Sequence, residues 1–163
     1  FVMFVMGVNQ GMQPIAGYNF GAKLYGRVNK VLRLTIIYAT AVTTFGFLVG
    51  MLVPDLVVGI FTSDAELTEL SVTGLRITVM FFPIIGFQMV TSNFFQSIGM
   101  AGKAIFLSLT RQMLILLPCL LVLPQFFGVA GVWYSMPVSD LLASLIALVM
   151  LVCQFRKFRT SPL

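Results

Sequence analysis

The chain contains no histidine and only two cysteines, so the side chains that most often build catalytic and metal sites are scarce. Cys119 and Cys153 lie in separate apolar stretches, and no CxxC spacing is present. We expect both thiols to be small, buried packing residues. These absences argue against an enzyme, and they predict neither a cofactor nor a bound metal.

Charge is also scarce, since only 9% of the residues are charged, while 59% are hydrophobic and the mean hydropathy is +1.03. Such a composition lies outside the range of soluble domains and indicates an integral membrane protein. One membrane-spanning helix needs roughly 20 apolar residues, and about five such segments fit in 163 residues. The predicted fold is therefore an all-α, polytopic helical bundle. The predicted spans are residues 1–20, 34–53, 77–100, 104–123 and 129–153.

The net charge of +5 does not indicate nucleic-acid binding, because the basic residues lie at the ends of hydrophobic segments and not on a polar domain. Basic residues are typical of cytoplasmic loops, so their position predicts the orientation of the spans. We expect a multi-pass protein of the plasma membrane, embedded in the lipid bilayer, with a cytoplasmic C-terminus. The residues assigned to the cytoplasmic ends are Lys23, Arg27, Lys30, Arg33, Lys103, Arg111, Arg156, Lys157 and Arg159.

The first predicted span has an unusual content of glycine and proline. Gly7 and Gly11 are four residues apart, as are Gly17 and Gly21, and each pair is expected to form a notch for a neighbouring helix. Pro14 lacks the backbone donor that would bond to a carbonyl one turn earlier. Such a helix is favoured beside a cavity or a partner helix.

Amide side chains accompany these glycines. Asn9, Gln10 and Gln13 follow one another at helical spacing, which predicts that they share one broad face. The amides either contact a solute or belong to a kinked, tightly packed helix without solute contact.

A second polar stripe lies in the third predicted span. Gln88, Thr91, Ser92 and Gln96 are spaced to share a helix face, while Asn93 lies to one side. Polar side chains on one face of a membrane helix are expected to point into the bundle. They are explained equally well by solute contact and by hydrogen bonds between packed helices.

Asp140 is the only acidic residue predicted to lie well inside the membrane. A charge at that depth costs roughly 2.5 to 3.5 kcal/mol, so we expect the carboxyl group to be protonated, paired or facing water. It is either a proton or cation acceptor, which includes a counter-charge for a cationic solute, or a group hydrogen-bonded to neighbouring helices. Arg111 is expected to reach the lipid headgroups by snorkelling. Pro118 and Pro124 are expected to bend and end the helix that carries Arg111.

Residues 9–22, which read N-Q-G-x-Q-P-x-x-G-Y-N-x-G-A and are followed by Arg27, resemble the eighth helix and the following loop of the MATE (multidrug and toxic compound extrusion) transporters. The later stretches SIGMAGKA, LTRQMLILLP and GVWYSMPVSD also resemble that family, so the similarity covers nearly the whole chain. The resemblance implies helices eight to twelve, most of the C-terminal half of a twelve-helix protein. The missing N-terminal half is then its partner, and the start at Phe1 favours a chain that begins inside a longer protein.

The resemblance further implies an antiporter that exports small organic, often cationic, compounds against an inward flow of protons or sodium by alternating access. In one branch of the family it implies coupling carboxylates on the seventh and tenth helices, but the tenth-helix counterpart here, residues 77–100, contains no acid. The coupling ion therefore stays open. The candidate residues of a solute or ion path are Asn9, Gln10, Gln13, Tyr18, Asn19, Gln88, Thr91, Ser92, Asn93, Gln96 and Asp140.

Two other functions are compatible with the sequence. One is a flippase for lipid-linked precursors from the same superfamily, which is expected to have a more strongly cationic cavity than Arg76 and Arg111 provide. The other is a structural or channel subunit for which five spans are complete. Seven further spans upstream of Phe1 would exclude that last function.

Overall fold

The computed structural model describes residues 1–62 and 64–160, with side chains as far as Arg156. Lys157 and Arg159, assigned above to the cytoplasmic end, have side chains outside the described part. Within the described part all regular structure is helical, which confirms the predicted all-α bundle. The helices are α1 (Val2–Gly21), α2 (Tyr25–Leu52), α3 (Pro54–Gly59), α4 (Ala65–Val79), α5 (Phe82–Ser97), α6 (Ala101–Leu109), a π-helical segment (Thr110–Leu116), α7 (Leu117–Phe127) and α8 (Val129–Thr160).

Three of the described helical stretches are long and apolar enough to cross a membrane on their own: Tyr25–Leu52, Ala101–Phe127 and Val129–Arg156. A fourth span results if α4 and α5 are one broken span, since they meet at an angle of 49°. Helix α1 is 20 residues long, but it is not among these candidate spans. The helices make this chain part of a multi-pass membrane protein.

The third predicted span, residues 77–100, is divided in the structure. Helix α4 ends at Val79, and α5 begins at Phe82 with Pro83 in its first turn. Proline is well tolerated in the first turn of a helix, whereas in the interior it removes a backbone hydrogen bond and favours a kink or a break. Pro83 therefore explains why the chain starts a new helix at the bend.

The expected end of the fourth span at Pro124 is wrong. Pro118 occupies the first turn of α7, and that helix continues through Pro124 to Phe127. The chain turns only at Gly128, which has a φ of 58°, a backbone conformation that glycine adopts readily. Immediately before Pro118, the Leu117 N–H bonds to the Gln112 carbonyl five residues earlier, so the local distortion takes the form of a π-helix.

Helices α1, α2 and α5 pack around a shared core that includes Val5, Leu32 and Phe94. Helices α2 and α5 approach closely at Gly86 of α5, where an added Cβ would lie 2.8 Å from the Thr43 Oγ1 and 2.9 Å from the Ala39 carbonyl oxygen of α2. Only glycine allows two helix backbones to come this near.

Among the described residues, the predicted glycine notches of α1 receive a neighbour at one position, Gly17. An added Cβ at Gly17 would lie 2.9 Å from the Ser97 carbonyl oxygen of α5. Gly7, Gly11 and Gly21 have no described atom within 4 Å of that point, and all three are exposed. Within the described part of the chain, the notch formed by Gly7 and Gly11 therefore receives no neighbour.

Candidate solute site

A cavity of about 310 Å³ opens where α1, α4, α5, the π-helical segment and α8 meet. Its wall is mostly apolar, with a cluster of polar groups from the π-helical segment and α8. The lining residues are Val2, Thr78, Phe82, Ile85, Met89, Arg111, Gln112, Leu116, Met136, Ser139 and Asp140.

Arg111 and Asp140 form an ion pair on this wall. The Asp140 Oδ1 accepts a hydrogen bond from the Arg111 Nε at 2.8 Å and lies 2.7 Å from the Arg111 Nη2. The Asp140 side chain is 8% exposed, whereas that of Arg111 is 30% exposed. The carboxylate is thus the enclosed partner, and the guanidinium forms the accessible side of the pair.

Two neighbouring residues of α8 hold Arg111 from two directions. Asp140 binds its guanidinium, and the Ser139 hydroxyl donates to the Arg111 carbonyl oxygen at 2.9 Å. Arg111 belongs to the π-helical segment, a wide turn of a kind frequent at functional sites. The π-helical segment before Pro118 therefore includes Arg111, the residue that pairs with Asp140.

The expectation that Arg111 snorkels to the lipid headgroups is wrong, because its guanidinium is bonded to Asp140. Of the three states considered for Asp140, the structure shows the paired one. Two opposite charges in contact are less costly to bury than either one alone, which accounts for both residues in one apolar region. The pair contributes no net charge to the cavity.

The three amide side chains of α1 lie in three different environments. The Gln13 Nε2 donates to the Asn93 Oδ1 of α5 at 3.2 Å, and the Gln10 side chain is exposed. Asn9 is 1% exposed, yet neither its Oδ1 nor its Nδ2 has a hydrogen-bond partner among the described residues. The shared face expected from spacing is therefore divided among a bonded, an exposed and an unpartnered amide.

Two residues near the end of α1 also differ from one another. Tyr18 is 76% exposed, so its ring lies on the surface of the described bundle. Asn19 is buried, and its Nδ2 donates to the Ile15 carbonyl oxygen at 2.8 Å. Its Oδ1 has no partner in the described part of the chain.

Two residues of the polar stripe of α5 make hydrogen bonds to neighbouring helices. The Ser92 hydroxyl lies 3.2 Å from the Ser108 hydroxyl of α6, and Asn93 accepts from Gln13 of α1. Thr91 is buried, and its hydroxyl donates to the Phe87 carbonyl oxygen at 2.9 Å. Gln88 is buried, while Gln96 is exposed. The contacts of Ser92 and Asn93 agree with the hydrogen-bonding explanation of the stripe.

Among the predicted path residues, Asp140 lines the cavity, whereas the candidate amides of α1 and α5 do not. The predicted path residues did not include the other polar lining residues, which are Thr78, Arg111, Gln112 and Ser139. Two of them had a signal, because Gln112 and Ser139 are direct neighbours of the charged residues in the stretches LTRQMLILLP and GVWYSMPVSD.

No three His, Cys, Asp or Glu side chains in the described part of the chain lie together in a way that could hold a metal ion. Both cysteines are free thiols. Cys119 is half-buried, but Cys153 is exposed, so the expectation that both are buried is wrong for Cys153.

Comparison with known proteins agrees with this architecture. The multidrug export protein MepA of Staphylococcus aureus (strain MSSA476) is 25% identical over 146 residues, which are 90% of this chain and 32% of that protein. A solved structure of the MATE multidrug transporter DinF-BH is 36% identical, with a TM-score of 0.89, over 96% of this chain and 35% of that one. An inward-facing multidrug resistance MATE family transporter of the MOP superfamily is 20% identical, with a TM-score of 0.88, over 97% of this chain and 37% of that one.

This chain spans about a third of the length of the relatives that it matches. The family model described as MatE matches residues 1–122, which include α1, the bend before α5 and the π-helical segment. With three quarters of its length matched, the chain belongs to the MatE family of transporters.

Proposed function

We propose that this chain is part of one lobe of an efflux transporter that exports small organic, mainly cationic compounds by antiport with protons or sodium. Its relatives support the transport class, since they are named as multidrug export proteins or multidrug transporters. The rest of the longer protein supplies the partner lobe, and the two alternate between inward-open and outward-open states.

The Arg111–Asp140 pair on the cavity wall carries this proposal. Ionisable residues inside membrane helices are costly and usually mark a substrate or ion pathway. The cavity of about 310 Å³ is near the lower limit of small-molecule sites, which are about 300–1,000 Å³ and mostly apolar with a few polar groups. The site thus combines an apolar wall for an organic solute with a carboxylate that can bind a cation.

The geometry of the pair supports a competition mechanism. Both guanidinium contacts converge on a single oxygen, Asp140 Oδ1. A proton or cation can therefore bind at the second oxygen, Oδ2, which reduces the charge of the carboxylate and weakens its hold on the Arg111 guanidinium. The site then has two electrostatic states, as antiport requires of a group shared by the driving ion and the solute.

For orientation, we propose that the basic ends face the cytoplasm in the plasma membrane. Arg27, Lys30 and Arg33 lie in the first turns of α2, whereas Asp64, Glu66 and Glu69 follow its opposite end. The positive-inside rule assigns the basic end to the cytoplasm.

The flippase alternative receives less support, because a strongly cationic cavity is expected for an anionic lipid-linked substrate. Here Asp140 neutralises Arg111, the only basic residue among the described ones that line the cavity. The match to a third of larger transporters likewise favours a piece of a transporter over a five-span subunit.

The test is dye or drug efflux by the full-length protein in cells without other pumps, with and without a proton or sodium gradient. Asp140→Asn alone leaves Arg111 without its counter-charge, so it must be compared with the neutral double variant Asp140→Asn/Arg111→Gln. Glu69→Gln is the matched control, because Glu69 is an exposed carboxylate that does not line the cavity.

We expect the double variant to reach the membrane in nearly normal amount and to lose efflux, while Glu69→Gln exports normally. Normal efflux by the double variant would show that the pair is only structural. Absence of efflux by the unmodified protein under any gradient would contradict the transport function itself.

A further inference from the structure

A smaller groove lies between the beginning of α2 and the end of α8, and it shares no lining residue with the cavity. Its volume is about 150 Å³. Its lining residues are Asn29, Leu32, Arg33, Ile36, Ile37 and Phe155.

The groove changes in polarity along its length. Asn29 and Arg33 are exposed polar residues near the start of α2, and Ile36 and Ile37 follow toward the centre of that helix. Residues 29 to 37 extend over about 12 Å of helix at 1.5 Å per residue. Arg33 directly precedes the apolar run that begins at Leu34, so it lies at the level where lipid headgroups meet the hydrocarbon.

Arg33 has no partner among the described residues, unlike Arg111 and Lys103. The Arg111 guanidinium is paired with Asp140. Lys103 is bonded through its Nζ to the buried Gln154 Oε1 and lies 5.2 Å from the centre of the Phe95 ring. Arg33 is therefore a cation at the membrane boundary whose charge the described chain leaves uncompensated.

The surroundings of Arg33 add to its positive potential. Arg27 and Lys30 are exposed on the same end of α2, and the carboxylates Asp55, Asp64, Glu66 and Glu69 all follow the other end of that helix. A basic pocket between membrane helices at the headgroup level matches the charge of an anionic lipid.

We propose that this groove binds one anionic phospholipid. Its phosphate lies against Arg33 and Asn29, and its acyl chain follows Ile36, Ile37 and Phe155 toward the centre of the bilayer. This site is separate from the cavity of the Arg111–Asp140 pair and does not depend on its transport role.

The experiment uses the full-length protein in nanodiscs that contain phosphatidylcholine with or without phosphatidylglycerol. Lipids that stay bound after release are identified by native mass spectrometry. Arg33→Gln is compared with Arg27→Gln, which makes the same charge change on the same end of α2 but does not line the groove. Ile37→Ser tests the acyl-chain contact, because Ile37 is 52% exposed within the groove.

We expect a preference for phosphatidylglycerol that weakens about fivefold in Arg33→Gln, the effect of one basic residue near a lipid headgroup. Arg27→Gln should change retention less than about twofold, and Ile37→Ser should reduce it, as expected of a contact with the lipid chain. Equal losses in Arg33→Gln and Arg27→Gln would show general surface attraction and overturn the site. Displacement by inorganic phosphate alone, or no retained anionic lipid because another helix fills the groove, would also overturn it.

Discussion

The polar groups of the cavity and those of α1 differ in whether they have hydrogen-bond partners among the described residues. Arg111 and Asp140 satisfy one another within the described chain, and Ser139 bonds the Arg111 backbone. Asn9 is equally enclosed but has no partner for either atom of its amide among the described residues. Removing one partner of a buried ion pair costs about 3–5 kcal/mol, whereas an unsatisfied neutral group costs about 1–3 kcal/mol.

The difference indicates which polar groups find their partners within this chain. A membrane lobe must neutralise its charges locally, because an unpaired charge is too costly, but it can leave a neutral amide for water, a solute or another segment. Helix α1 has further open positions, since Gly7, Gly11, Gln10 and Tyr18 are all exposed. We infer that α1 meets the rest of the longer protein, whereas the Arg111–Asp140 pair is formed within this chain.

The largest effect is expected from Asp140→Leu, which leaves the Arg111 guanidinium unpaired among apolar residues. The full-length protein should lose about 3–5 kcal/mol of stability and much of its abundance in the membrane. Thermal unfolding followed by fluorescence size-exclusion chromatography measures the change. The double variant Asp140→Leu/Arg111→Met should recover most of the loss, and a double variant as unstable as the single one would contradict local charge compensation.

A smaller loss is expected from Gly86→Ala. The new Cβ would lie 2.8 Å from the Thr43 Oγ1 and 2.9 Å from the Ala39 carbonyl, so α2 and α5 must separate. Overpacking of this kind costs about 1–3 kcal/mol. The control is Gly102→Ala, where no described atom lies within 4 Å of the added group, and the midpoint of thermal unfolding should fall only for Gly86→Ala. Equal midpoints would show that this interface yields without strain.

Ser139→Ala tests how firmly α8 holds the backbone of Arg111. Loss of the hydroxyl removes its 2.9 Å bond to the Arg111 carbonyl, which should cost about 0.5–1.5 kcal/mol. Ser144→Ala is the control, because that hydroxyl donates to the Asp140 carbonyl within α8 itself. Efflux and thermal unfolding should both respond more strongly to Ser139→Ala. A larger effect of Ser144→Ala than of Ser139→Ala would show that the bond from α8 to the π-helical segment is not important for the function of the site.

Asn9→Leu should have the smallest effect on stability, because it removes an amide that has no partner in the described chain. Replacing a buried unsatisfied group by an apolar one of similar size is nearly neutral or stabilising. Asn93→Leu, which breaks the bond to Gln13, should instead cost about 1 kcal/mol. Unfolding midpoints and efflux of the full-length variants are to be compared. A clear loss of stability in Asn9→Leu without loss of efflux would show that another segment bonds this amide for structural reasons.

The sequence by itself determined that this is a helical membrane protein of the MatE family. Long apolar runs can satisfy their backbone in a bilayer only as helices, and the order of amides, glycines and proline in residues 9–22 is specific. It also marked Asp140 as the residue whose burial required an explanation.

Only the tertiary structure decided which partner Asp140 has. Arg111 and Asp140 are 29 residues apart on different helical segments, and their contact depends on helix rotation and on the π-helical turn before Pro118. Hydropathy predicts neither the rotation of these helices nor the π-helical turn, because most of their surface is apolar and can face lipid in several rotations. The same reason explains why spacing placed Asn9 and Gln10 together, whereas packing against α2 and α5 buried one and left the other exposed.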